Sequence, residues 1–168
     1  GFHLGLRAFA SSNLQDAEYW ILGDGAEFNQ LQNLAKNLGI SQQVKFWGKL
    51  SREETLARLK DCHVLVHPSL HDSGGWVCLE AMAAARPVIC LDLGGPGVQV
   101  SAETGFKVEA LNPQEAVKNI ATSMTQLVEN PQMRIHMGKA GRKLVRETYS
   151  WQARGERLSQ LYKQIINN

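Results

Sequence analysis

Between Cys62 and Asp92 the chain changes its pattern three times, and each change limits what it can fold into. Cys62-His63-Val64-Leu65-Val66 is a short run rich in β-branched residues that stops before Pro68. Ser69 to Gly75 follows a proline and contains Ser, His, Asp and two glycines, so it reads as a turn. From Trp76 the apolar residues fall at helical spacing (Trp76, Leu79, Ala83), among alanine and methionine, which are good helix formers. Pro87 ends that helix, and Val88 to Leu91 reads as a buried strand. The stretch is therefore strand, polar glycine turn, helix, strand.

That order carries chemistry. A glycine pair at a helix N-terminus lets backbone approach a ligand and points free N–H groups at it. The helix dipole adds partial positive charge, so a phosphate suits the position. Glu80 lies about one turn inside the helix, and helical side chains lean back toward the N-terminus. Its carboxylate can then accept from two vicinal hydroxyls, as a ribose requires. Asp72 offers a second acceptor ahead of the helix. Two acids with seven residues between them, flanking glycines, suit a nucleotide that carries a polyol. The alternative is that Asp72 and Ser73 only cap the helix and that Glu80 belongs to a solvated face.

The stretch resembles the E-x7-E donor signature of the family 4 (group 1) retaining GT-B glycosyltransferases. The matching residues are Pro68-Ser69, Asp72-Ser73-Gly74-Gly75, Leu79-Glu80-Ala81-Met82-Ala83, Ala85-Arg86-Pro87-Val88-Ile89 and Asp92-Leu93-Gly94-Gly95. Three positions depart from the pattern: Asp72 replaces the usual Glu, Ser-Gly-Gly replaces Gly-Phe-Gly, and Ala85 stands where Gly is usual. The resemblance implies a catalytic pair, Asp72 and Glu80. It also implies a donor-binding set of Gly48, Leu50, Ser73, Gly74, Gly75, Trp76 and Glu80. Gly48-Lys49-Leu50 would lie against the nucleobase, Glu80 would hold ribose and Asp72 would hold the sugar. Gly23, His67 and His71 are further candidates; the histidines could donate to phosphate or sugar oxygens. For His67 the alternative is a strand-end histidine satisfied within the fold. The resemblance implies retention of anomeric configuration, no cofactor and no catalytic metal.

The rest of the chain follows one rhythm. Phe2, Leu6 and Phe9 predict a helix over residues 2–11. Strands are expected at 18–22, 44–47, 62–66, 88–91 and 106–108. Gly23-Asp24-Gly25 is either a tight turn or a ligand loop at a strand's carboxyl end. Leu31, Leu34, Ala35 and Leu38 carry a helix closed by Gly39. Ser51 and Glu54 form a capping box. Gly94-Gly95-Pro96-Gly97 is expected to be a glycine-rich loop. Asn112-Pro113 and Asn130-Pro131 open two helices, whose stripes of Val117, Ile120, Met124 and Leu127, then Met133, Met137 and Leu144, read as core. Tyr149-Ser150-Trp151 opens a last helix, with Leu158, Leu161, Tyr162 and Ile165 on one face.

Alternation of strands and helices predicts an α/β fold: a Rossmann-like parallel sheet with helices on both faces, one half of a GT-B fold. Its N-terminal strand is expected to be missing, because the family carries a strand ahead of the first helix. Residues 1–168 read as one nucleotide-sugar-binding domain that includes a C-terminal helix 151–166. Gly1 follows no methionine and opens directly into a helix, which suggests a fragment without the acceptor domain. A net charge of +2 does not point to nucleic acid. Cys62, Cys78 and Cys90 lie in apolar runs without CxxC spacing and read as reduced core thiols of a cytoplasmic protein. Peripheral contact with the inner membrane face is a further expectation, since many relatives use lipid-linked acceptors.

The expected partners are a nucleotide-sugar donor, a sugar or lipid-linked acceptor and an N-terminal GT-B domain. The resulting function is hexosyl transfer from a nucleotide-diphosphate sugar, with the isolated chain inactive. The competing reading is a non-catalytic nucleotide- or protein-binding module. An epimerase or phosphorylase fits less well with Leu79-Glu80-Ala81-Met82-Ala83 and the Pro87-Val88-Ile89 strand.

Overall fold

The computed structural model describes residues 1–166. Five short strands alternate with helices along the chain: α1 (Phe2–Ser12), β1 (Tyr19–Leu22), α2 (Phe28–Asn37), β2 (Val44–Gly48), α3 (Arg52–Asp61), β3 (Leu65–His67), α4 (Trp76–Ala83), β4 (Val88–Leu91), α5 (Gly94–Gln99) and β5 (Gly105–Val108). Three longer segments close it: α6 (Pro113–Glu129), α7 (Pro131–Leu144) and, after a π-helical turn at Val145–Tyr149, α8 (Trp151–Ile166).

Every strand pairing is parallel. The strands form two half-sheets, β1-β2 and β3-β4-β5, rather than one. β4 is the centre of the larger half, and its four residues are all buried. Alternate residues of β4 feed two different cores, as a strand covered on both faces requires. Ile89 and Leu91 join α1, α2 and α6 in one. Val88 and Cys90 join α3, α4 and the end of α7 in the other. Leu6, Ile120 and Leu127 are almost fully enclosed in the first core. Burial of each such side chain contributes about 1.5–3 kcal/mol.

The local signals work as their chemistry demands. Ser51 accepts from the Glu54 amide while Glu54 accepts from the Ser51 amide, a complete capping box. Asn112 Oδ1 accepts from the Glu115 amide at 2.9 Å. Gly39 takes φ +73° just past α2, the left-handed position where glycine is favoured.

Four expectations are corrected. β3 begins at Leu65, not Cys62, because β4 offers a partner only from Val88 onward. Gly94 to Gly97 form the start of α5 rather than an open loop. Trp76 opens α4 but is 70% exposed; the buried face is Cys78, Leu79, Ala81 and Met82. α4 stops before Pro87 can act, because Ala85 adopts φ +58°.

Cys62, Cys78 and Cys90 carry free thiols. Burial pushes the Cys90 thiol up to about 12 and raises Cys78 and Cys62 as well. All three are weak nucleophiles.

Candidate functional site

The candidate residues gather where the strands end. Gly23 and Gly48, which close β1 and β2, are joined by a hydrogen bond from the Gly23 amide to the Gly48 carbonyl at 2.8 Å. Both take positive φ, +125° and +65°. Leu50 lies two residues past Gly48 and leads into the cap of α3.

Glu80 comes to this same corner from α4. Its Oε1 lies 2.8 Å from Arg52 Nη1, in the first turn of α3. The Glu80 side chain is 23% exposed and that of Arg52 76%. A carboxylate one turn inside α4 is thus held by the first turn of α3, the helix that follows the turn containing Gly48 and Leu50. Arg52 is absent from the sequence-based candidates. It sits inside a capping box, and no local pattern marks it as the partner of a residue 28 positions away.

Asp72 is placed quite differently. Its Oδ1 accepts from the Gly74 amide at 3.0 Å and the Gly75 amide at 2.8 Å. Its Oδ2 lies 2.9 Å from His67 Nε2. Asp72 therefore closes the turn ahead of α4, whose N-cap is Gly75 with no side-chain cap bond, and the two glycine amides assigned to a phosphate point at it. The Gly75 amide, with smaller contributions from His67 and Gly74, holds the Asp72 carboxyl below its usual range. His67 is half-buried and satisfied by this contact, whereas His71 and Ser73 are exposed and face outward.

Glycine is required here by close approach. A Cβ on Gly94 would meet the Asp72 carbonyl, and one on Gly95 would lie 2.6 Å from the Ser73 carbonyl. Gly75 takes φ +60°, and a Cβ there would fall 2.9 Å from the Pro96 nitrogen. The turn after β3 and the start of α5 are packed backbone on backbone, sealed by the Gly95 amide donating to the Asp72 carbonyl at 2.9 Å. Gln99 completes the contact by donating to the Gly74 carbonyl at 2.6 Å. Sequence reasoning missed Gln99 because it lies in an unremarkable turn of α5.

The structure thus brings Gly23, Gly48, Leu50 and Glu80 to one corner, and His67, Asp72, Gly74 and Gly75 to the neighbouring one, with Trp76 and α4 between them. Among the described residues no three His, Cys, Asp or Glu side chains converge to hold a metal. The arrangement places a carboxylate, Glu80, one turn inside α4, and a glycine turn whose amides are held by Asp72 ahead of the helix's amino end. That is the equipment of a nucleotide-binding α/β domain, which holds its ligand at the carboxyl ends of its strands.

Comparison with known proteins agrees. The chain belongs to the group 1 glycosyl transferases, whose family model matches residues 1–144. A GDP-mannose-dependent monoacylated α-(1-6)-phosphatidylinositol monomannoside mannosyltransferase from Corynebacterium glutamicum is 33% identical over 153 residues, covering 87% of this chain and 39% of that protein. Sucrose-phosphate synthase from Thermosynechococcus elongatus superposes with a TM-score of 0.80 at 25% identity, over 99% of this chain and 43% of its own. Anabaena Alr3699/HepE in complex with UDP and glucose matches with a TM-score of 0.79 at 22% identity, over 98% and 45%; at that identity it speaks for the fold. The chain spans well under half the length of these proteins.

Proposed function

We propose that this chain is the donor-binding half of a retaining glycosyltransferase, which moves a hexosyl group from a nucleotide-diphosphate sugar to a sugar or lipid-linked acceptor. The observation that carries the reading is the position of Glu80. It is held on α4 beside the turn of Gly48 and Leu50, where one carboxylate reaches ribose hydroxyls while that turn meets a base. The diphosphate lies at the amino end of α4, where free N–H groups and the helix dipole favour anions. To enter, it takes the Gly74 and Gly75 amides from Asp72. The released Asp72 carboxylate is then free to accept from sugar hydroxyls next to the reacting carbon. Stabilising the departing diphosphate is the main catalytic contribution of this half, with no cofactor and no metal.

The chain is one domain in this reading, ending in α8. That helix buries none of its residues, and Trp151 and Ile165 are 90% and 72% exposed. Its apolar face meets an N-terminal acceptor-binding domain. No helix among the described residues is long and apolar enough to cross a membrane. Donor chemistry of this kind belongs on the cytoplasmic side, with peripheral contact at the inner membrane face where the acceptor carries a lipid.

A second reading, a non-catalytic binding module, draws support from Asp72. Both of its oxygens are satisfied within the fold, by the Gly74 and Gly75 amides and by His67 of β3. The two readings separate in the full-length protein. Glu80→Gln and Asp72→Asn should each cut transfer strongly, and the product should keep the anomeric configuration of the donor. Turnover unchanged by either substitution would remove that residue from the site.

A further inference from the structure

Gln99 ends α5, and its side chain is committed inward, with only 9% of the residue exposed. Its Nε2 donates to the Gly74 carbonyl at 2.6 Å, which no backbone amide reaches among the described residues. Its Oε1 is buried and has no partner among the described residues. That oxygen faces Gly75, where an added Cβ would fall 2.7 Å from it. Turning the side-chain amide over would set two oxygens against each other, so the Gly74 carbonyl fixes which end faces it. A buried acceptor left alone costs about 1–3 kcal/mol. The bond to Gly74 is thus kept although the other end of the same amide goes unmatched.

The peptide between Gly74 and Gly75 is the unit that Gln99 holds. In a trans peptide the C=O and N–H point in opposite directions. The carbonyl faces Gln99, and the N–H faces Asp72 Oδ1 at 2.8 Å. One bond on each side sets the aim of the unit. It is also the peptide of this turn that rotates most easily. Gly75 takes φ +60°, and a half-turn of the peptide would carry it to about −120°, in the broad extended region. Glycine occupies both regions about equally, and the glycine at 74 adds no hindrance of its own. Rotated, the unit would aim its N–H at the unmatched Gln99 Oε1 and its carbonyl at Asp72.

We infer that Gln99 is a positioning residue: from the α5 side it locks the Gly74–Gly75 peptide with its N–H turned toward Asp72, and it keeps that aim when Asp72 lets go. The second half rests on the donor reading, in which a diphosphate takes the Gly74 and Gly75 amides from Asp72. Asp72 grips only the N–H side of the unit, which is the side that changes partner. Gln99 grips the carbonyl side, which does not. During the exchange the Gln99 bond stops the carbonyl, a partly negative oxygen, from swinging round to meet the incoming anion. The first half rests on the geometry of the turn alone.

The test compares the isotopically labelled 168-residue chain with Gln99→Met, which keeps the length of the side chain and removes its N–H donor. NMR couplings across hydrogen bonds report where each N–H points. The native chain should show a coupling from Gln99 Nε2 to the Gly74 carbonyl carbon, and others from the Gly74 and Gly75 nitrogens to the Asp72 carboxyl carbon. In Gln99→Met the Gly75 coupling should fall by about half or more, as the loss of one hydrogen bond allows. The Gly74 coupling, which belongs to the preceding peptide, should stay. Two couplings that persist together, or weaken together, would overturn the lock, the second because a merely structural role loosens the whole turn. Inorganic pyrophosphate is then titrated against both chains and followed at the Gly74 and Gly75 amides. Binding about 3- to 10-fold weaker in Gln99→Met, the worth of one hydrogen bond, is the expected result, and equal binding would overturn the role in the exchange. A native chain whose couplings behave as expected but which binds no pyrophosphate would refute the diphosphate reading and leave the lock standing. Should Gln99→Met fail to fold, Gln99→Asn, a methylene short of the carbonyl, takes its place. Absence of the Gln99 Nε2 coupling in the native chain overturns the inference by itself.

Discussion

Asp72 and Glu80 sit eight residues apart in one motif, yet the fold treats them oppositely. Asp72 is tied by three contacts, two from backbone amides of its own turn and one with His67 at the end of β3. Glu80 is tied by one ion pair to an arginine that is mostly in water. An exposed pair of that kind is worth about 0–1 kcal/mol, so a ligand can replace it at little cost. Releasing Asp72 breaks three contacts, two of them with backbone amides of the turn ahead of α4. In the proposed reading the acid inside the helix is the ready ligand group, and the acid ahead of it holds the turn's shape until a diphosphate takes its amides.

Substitutions sharpen that contrast, and the largest effect belongs to Glu80. Glu80→Gln removes the charge from bonds to ribose hydroxyls, each worth about 1.5–3 kcal/mol when one partner is ionised. Nucleotide affinity should fall about 10- to 100-fold by calorimetry, with the urea midpoint unmoved. Asp72→Ala should do the reverse. It leaves the Gly74 and Gly75 amides without their partner and should destabilise the domain by about 1–2 kcal/mol in urea unfolding.

The Asp72 effect carries a pH signature. Its folded carboxyl is lowered, chiefly by the Gly75 amide. Its contribution is complete above the unfolded value, near pH 4, and is lost as pH falls through the lowered folded value. The stability gap between the native chain and Asp72→Asn should therefore close below about pH 4. A gap that stays constant down to pH 2 would mean that Asp72 does not hold the Gly74–Gly75 turn as an ion.

Smaller effects complete the comparison. Ala85 holds φ +58° at the far end of α4. A left-handed alanine costs about 1–2 kcal/mol, partly offset by the greater unfolded freedom of glycine. Ala85→Gly should stabilise the domain by about 0.5–1 kcal/mol while leaving nucleotide affinity alone, which separates stability from binding on the same helix. Arg52→Ala should be smallest, shifting stability by less than about 0.5 kcal/mol without weakening the nucleotide. A tenfold loss of affinity there would show that Arg52 itself contacts the ligand.

Much of this was legible in the sequence. Caps announce themselves locally, so Ser51, Asn112 and Gly39 were found correctly. β4 is an uninterrupted apolar run, and α4 follows a glycine turn. Glu80 sits one turn inside that helix, where its spacing places it. What stayed hidden depends on partners distant in sequence. The length of β3 is decided by where β4 begins. Gly94 and Gly95 look like loop formers, but their role is to let α5 press against the turn at Asp72. Arg52 and Gln99 reach across 28 and 25 positions to Glu80 and Gly74, and nothing in their neighbourhoods signals it. Trp76 falls on a helical period yet stays exposed, because periodicity marks a face without saying what covers it. The departure at Ala85 was visible as a residue swap, but only the backbone angle shows that it carries strain.

The most direct test is a calorimetric titration of this domain with UDP, GDP and ADP, each alone and as a sugar conjugate, beside Glu80→Gln. The account predicts selective binding of one nucleotide by the native chain and its loss, by at least tenfold, in Glu80→Gln. Selective binding that survives Glu80→Gln unchanged would contradict it, because the carboxylate beside Gly48 and Leu50 would then have no part in holding the donor.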